Sequence, residues 1–173
     1  EVITEFENSK KPIVAALHGT PLGGGLELAM GCNYRVALKN TMLGLPEVKL
    51  GFIPGAGGTQ RLPRIIGVEK ALNMITSSSP INSVEALNCR LLDEIYENEL
   101  LENSKKFLLN IINLKKHPIV KHININENTL GSNFFKDYLN MVKKKFRGRK
   151  SPIAAVNAVM ASVALSFEKG LEK

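Results

Sequence analysis

Residues 11–32 read KPIVAALHGTPLGGGLELAMGC, and no other stretch restricts the possible folds as much. The first part, residues 11–19, is a short apolar run of small and β-branched side chains closed by a glycine, which reads as a buried strand. Three glycines follow at 23–25, and the helix formers of LELAMGC, residues 26–32, come directly after them. The local unit is therefore strand, glycine turn, helix. A turn of this kind lets backbone approach a ligand without a side chain holding it off, and it leaves the N–H groups of a first helical turn pointing outward. The helix dipole adds positive potential there, so an anion, or an oxygen that becomes anionic in a reaction, is a suitable guest. Tight packing of helix on strand would use the same glycines.

The rest of the chain continues the alternation. NYRVALKN, residues 33–40, reads as a second strand, and residues 41–67 as a loop-rich region ending in a short helix over Thr59–Ile66. VEKALNMITSS has helical periodicity. Asn82 with Glu85 three residues on predicts a capped start for the helix SVEALNCR. LLDEIYE returns to strand, and residues 100–115 read as an amphipathic helix. Strands alternating with helices predict an α/β core with at least partly parallel strands. Beyond Lys115 the texture changes to an Asn-rich surface connection over residues 116–133, followed by a helix over 134–146. A longer Ala-rich helix over 151–173 is expected to start with Ser151 as N-cap and Pro152 at its first position. That helix is apolar on more than one face and must pack against something. The division expected is 1–115 and 116–173.

Composition narrows the function classes. With 173 residues, 44% hydrophobic and 23% charged, the chain has the profile of a soluble globular protein with one sizeable core. No apolar run approaches the ~18 residues of a membrane span. Cys32 and Cys89 have neither disulfide-framework nor zinc spacing, so a reducing intracellular setting is expected and no metal. The net charge of +7 favours an anionic ligand, and the basic residues concentrate in KKKFRGRK, residues 143–150. That run is read as a solvated helix end rather than a nucleic-acid surface, because it holds a single aromatic and no recognisable module surrounds it. His18, His117 and His122 do not cluster in sequence and are read as structural or solvated.

Two carboxylates stand in apolar company. Glu27 falls in the first turn of the helix after the glycines, where negative charge is favoured, and partial burial would raise its pKa into a useful range. Glu47, in LGLPEVKLG, lies 20 residues further on, too far for one helix face, so only the tertiary fold could bring the two together. The glycines themselves fit neither a P-loop, since no Lys-Ser or Lys-Thr follows, nor the dinucleotide fingerprint.

ALHGTPLGGGLELAMGCNYRVA followed by LGLPEVKLGFIPGAGGTQRLPRIIG resembles the enoyl-CoA hydratase/isomerase (crotonase) family, over about Lys11 to Asn110. The resemblance implies repeated ββα units in a spiral, often assembled as trimers or pairs of trimers, that bind acyl-CoA thioesters. It implies an enolate stabilised at the thioester oxygen by two backbone N–H groups, the second of them at Gly24. It implies that Glu27 deprotonates a water attacking C3 and Glu47 delivers a proton to C2, acting as a coupled pair. Isomerisation of a 3-enoyl to a 2-enoyl thioester would need Glu47 alone. Pro46 and Gly55 match positions that line the acyl pocket. No cofactor is implied beyond the CoA of the substrate.

The tail SPIAAVNAVMASVALSFEKGLEK resembles the helical segment that joins the hydratase part to a 3-hydroxyacyl-CoA dehydrogenase part in multifunctional β-oxidation enzymes. If so, an NAD-binding domain would follow, and the compartment would be a bacterial cytoplasm or a peroxisome. The family's first oxyanion donor belongs to a loop upstream of residue 11 that is absent from these 173 residues. Glu1 opens in what reads as mid-helix, so further residues are expected ahead of it, and without them catalysis should be poor. The readings in order are a hydratase module, a catalytically silent acyl-CoA-binding protein, and an RNA-binding use of the basic tail.

Overall fold

The computed structural model describes residues 2–126 and 130–173, so part of the connection expected over 116–133 lies outside the described residues. A short helix α1 (Val2–Glu7) leads into strand β1 (Val14–Leu17), and α2 (Gly24–Met30) crosses to β2 (Tyr34–Leu38). Strand β3 (Met42–Leu43) and a 3-10 turn (Glu47–Leu50) precede helices α3 (Gly58–Ile66) and α4 (Val68–Ser77). Then come β4 (Ile81–Asn82), α5 (Ser83–Asn88), β5 (Glu94–Tyr96) and α6 (Leu100–Ile111). A second 3-10 turn (Val120–His122) and helices α7 (Phe134–Lys145), α8 (Ser151–Ala164) and α9 (Phe167–Leu171) complete the order.

The predicted alternation produces a parallel sheet of order β1-β2-β5, with Val14 opposite Tyr34 and Val36 opposite Glu94. Each link between sheet neighbours passes through helices, as parallel strands require. Arg35 sits inside this sheet yet is buried. Its Nε donates to Leu91 O at 2.8 Å, its Nη1 to Cys32 O at 2.9 Å, and its backbone N–H to Asp93 Oδ2 at 2.7 Å, so the charge enters the interior with partners. The core is built from Leu26 and Met30 of α2, Leu62 of α3, Leu72 and Ile75 of α4, and Val156 and Val159 of α8, all fully buried.

The helix start expected at Asn82 forms. Asn82 Oδ1 accepts the Glu85 N–H at 2.8 Å. Replacing Asn82 with Ala should lower stability by about 1 kcal/mol in a chemical denaturation experiment, the usual cost of losing such a cap.

Two local expectations need correction. Ser151 is not the N-cap of α8. It lies inside the first turn, after Lys150, and its hydroxyl donates to Val48 O at 3.0 Å, tying the start of α8 to the turn that carries Glu47. Nor does one helix run over 151–173. Leu165 is extended (φ −128°, ψ 164°), and Ser166 caps the separate helix α9 by accepting from the Lys169 N–H. The break lets Phe167 and Gly170 turn inward onto α3, which a straight helix could not do. The pairing of Met42 with Asn82 and of Leu43 with Ile81 joins segments too short and too distant to be read from local pattern.

Candidate active site

Leu22 bridges to Gly44 in parallel register, and the Gly23 N–H donates to Gly44 O at 2.9 Å. This contact lays the glycine turn alongside the segment leading to Pro46 and Glu47. Gly23 has φ +55° and ψ −128°, a conformation open essentially to glycine alone. A Cβ built on it would fall 3.0 Å from Glu47 Oε1, so this glycine also makes room for a carboxylate. Gly24 and Gly25 are exposed, and a Cβ on either would meet nothing within 4 Å. The Gly24 N–H opens α2 and has no acceptor among the described residues.

Glu27, one turn into α2, is only 2% exposed. Its Oε1 accepts two amides, Ala56 N–H at 2.8 Å and Gly58 N–H at 2.7 Å, the latter at the first residue of α3. Gly57, between them, has φ +93°, which allows both amides to converge on one oxygen. A Cβ on Gly58 would lie 2.9 Å from Glu27 Oε1, so the fit is close. Burial raises the Glu27 pKa, while the Gly58 and Ala56 amides and the Arg61 cation pull it back.

Glu47 begins the 3-10 turn behind Pro46 and is half-buried. Its Oε2 is buried and has no hydrogen-bond partner among the described residues. Burial raises its pKa, its own backbone amide lowers it, and the neighbouring Glu27 charge raises it again. The fold has thus brought together two carboxylates 20 residues apart and placed them unequally. One is gripped by two amides beside a cation, whereas the other is half open and faces a like charge.

Pro46 is half-buried and sets the start of the Glu47 turn. Gly55 is exposed and lines a cavity of about 400 Å³ with Val2, Ile3, Thr4, Arg61 and Leu171. Pro46 does not line that cavity. Sequence reasoning missed Arg61, a buried cation beside Glu27, and the Ala56 and Gly58 amides. The available signal was a lone arginine in GGTQRLP, directly after the glycines and within a run buried from Gly57 to Pro63. His117 Nδ1 lies 3.1 Å from the Tyr34 hydroxyl, away from the carboxylates. No group of three His, Cys, Asp or Glu among the described residues could hold a metal ion. No helix among them is long and apolar enough to cross a membrane.

The raised pKa values of Glu27 and Glu47 make stability depend on pH. The folded state binds more protons than the unfolded chain between the ordinary glutamate value of 4.5 and the raised values, so stability is fullest below that window and declines as pH rises through it. Replacing Glu47 with Gln should flatten the decline and raise Tm near neutral pH. Below pH 4.5 it should leave Tm unchanged, as calorimetry across pH would record.

The sequence profile described as Enoyl-CoA hydratase/isomerase matches residues 1–146. The chain belongs to the enoyl-CoA hydratase/isomerase family. This family member is 38% identical over 174 residues to a peroxisomal bifunctional enzyme of Cavia porcellus, across 99% of this chain and 24% of that protein. It is 39% identical over 178 residues to a glyoxysomal fatty acid beta-oxidation multifunctional protein of Cucumis sativus, across 100% and 25%. The chain spans about a quarter of the length of these curated relatives. Among solved structures, the enoyl-CoA hydratase of Bacillus anthracis matches with a TM-score of 0.61 and 39% identity over 63% of this chain and 43% of that one. That of Thermoplasma volcanium matches with a TM-score of 0.61 and 26% identity over 99% and 62%. These matches place the α/β architecture in the crotonase fold.

Proposed function

We propose that this chain carries the chemistry that hydrates a 2-enoyl-CoA thioester to the 3-hydroxyacyl-CoA, within fatty-acid β-oxidation. The observation that carries the reading is the unequal carboxylate pair beside the glycine turn. Hydration needs one group that takes a proton and one that gives it, and two like charges placed close together resist ionising at the same time. The ionised form of Glu27 has the support of two N–H groups and the Arg61 cation against the burial that raises its pKa, and Glu27 is assigned as the base for the water that attacks C3. Glu47 lacks that support and the neighbouring Glu27 charge adds to the burial that raises its pKa, so it is assigned as the acid that delivers a proton to C2. Water contributes its hydroxyl to C3 and its proton to Glu27, while C2 receives the proton of Glu47. The two titrate as a pair, so the next cycle starts once a proton has passed between them or through solvent.

The Gly24 N–H, free and at the positive end of α2, supports a donor role toward the thioester oxygen as the enolate forms. Pro46 and Gly55 are proposed to border the acyl chain. The setting in β-oxidation draws on the names of the multifunctional relatives. The test follows the conjugated enoyl-thioester absorbance when the protein expressed from its gene meets a short 2-enoyl-CoA. Rapid loss supports hydration. An unchanged signal with acyl-CoA still bound would make the glycine turn a binding device and overturn the reading.

A further inference from the structure

Arg61 is 2% exposed, yet it reaches three elements. Its Nε donates to Glu7 Oε1 of α1 at 2.9 Å, and its Nη1 donates to the Ala56 carbonyl at 3.0 Å. The amide of that same Ala56 donates to Glu27. A Cβ on Gly57 would fall 2.2 Å from Arg61 Nη1, so the guanidinium lies directly against the turn. Arg61 Cζ also stands 4.9 Å from the Phe167 ring centroid of α9, a ring that Arg64 shares at 5.1 Å.

We propose that Arg61 is the positioning residue of the Glu27 carboxylate. It holds the Gly55–Gly58 turn so that the Ala56 and Gly58 amides converge on one oxygen, while Glu7 and Phe167 hold Arg61 in place. The kinetic part of this proposal rests on the hydration reading. The physical reason lies in the peptide geometry. With the Ala56 carbonyl anchored, the turn cannot rotate its amides away from Glu27, and bonds to an ionised acceptor are the strong ones. A lysine would keep the charge but could not present the fork that bonds Glu7 and Ala56 together. The cation also favours the ionised form of Glu27 through space, against burial. The other charges around this group are Glu47 opposite Glu27, Glu7 on α1, Arg64 on α3 and Glu168 beside Arg64.

The test is a ¹³C NMR titration of the Glu27 carboxyl in the protein expressed from its gene, with the signal assigned by its loss in Glu27→Gln. In Glu7→Gln the Arg61 charge is no longer neutralised, so Glu27 should titrate at lower pH than in wild type. In the double variant Glu7→Gln/Arg61→Met the cation is gone, and Glu27 should titrate at higher pH. Exchanging a whole buried ion pair for neutral groups of similar size is usually tolerated, so the double variant carries the test by itself if Glu7→Gln unfolds. Alongside, kcat for hydration should fall about 10-fold to 100-fold in the double variant with KM near wild type, and Arg61→Lys should recover part of it. A folded double variant in which Glu27 titrates as in wild type overturns the proposal. A displaced titration in a protein that never hydrates enoyl-CoA upholds it and overturns the hydration reading instead.

Discussion

Replacing Glu27 with Gln is expected to lower kcat/KM for hydration of a short 2-enoyl-CoA by about 10²–10⁴-fold, the usual contribution of a positioned acid or base. The amide oxygen of Gln can still accept the Ala56 and Gly58 N–H groups, so the turn and the substrate site should remain intact. What is lost is the ability to take a proton. Glu47→Gln should lose activity on the same scale for the opposite reason, since its amide has no acidic proton to give C2. The double variant should be little slower than either single one, because groups that act as a unit do not have additive effects. Steady-state kinetics on the three variants checks this. A fall of only a few-fold in either single variant would remove that residue from the proton-transfer machinery.

Leu72→Ala should produce the largest loss of stability among these variants. Leu72 is fully buried in α4, within the cluster that joins α3, α4 and α8. Truncation removes buried methyl and methylene groups and leaves a cavity in a helix layer closed on several sides, a change that costs about 2–5 kcal/mol. For a chain of this size that lowers Tm on the order of 10 °C. Leu72 touches neither carboxylate's hydrogen bonds, so kcat of the folded fraction should stay at the wild-type level below the new Tm. Thermal unfolding by circular dichroism together with kinetics at low temperature separates the two effects. The contrast with Glu27→Gln is the useful one, because that variant should lose activity while keeping its fold.

Much of the path to the site could be read along the chain. The strand, glycine turn and helix of residues 11–32, the Asn82 cap and the alternation leading to a parallel sheet are all local or periodic features, and each formed, although β1 is half-buried with Ala16 exposed rather than the buried strand expected from its apolar run, because it lies at the edge of the sheet. The tail is less legible. Ser151 carries the residue type of an N-cap and Pro152 the residue type of a first turn, yet the hydroxyl is drawn to Val48 O. That distant carbonyl outcompetes a local cap, and nothing in the neighbouring residues announces it. Leu165 likewise ends α8 without proline or glycine, since the gain from burying Phe167 and Gly170 against α3 comes from another part of the molecule.

Backbone conformations that depend on single residues are legible in residue order alone. Gly23 at φ +55° and Gly57 at φ +93° could hardly be anything but glycine, and the order of strand and helix follows from apolar spacing. Residue order also placed Glu27 and Glu47 in apolar company, which marked them as candidates. That they face each other, that two amides from a turn some 30 residues away grip one and not the other, and that Arg61 bonds the carbonyl of that turn all emerge from long-range packing. The reason is physical. Hydrogen-bond convergence and the proton affinity of a buried carboxylate depend on distance and solvent exclusion in three dimensions, and residue order along the chain does not encode either.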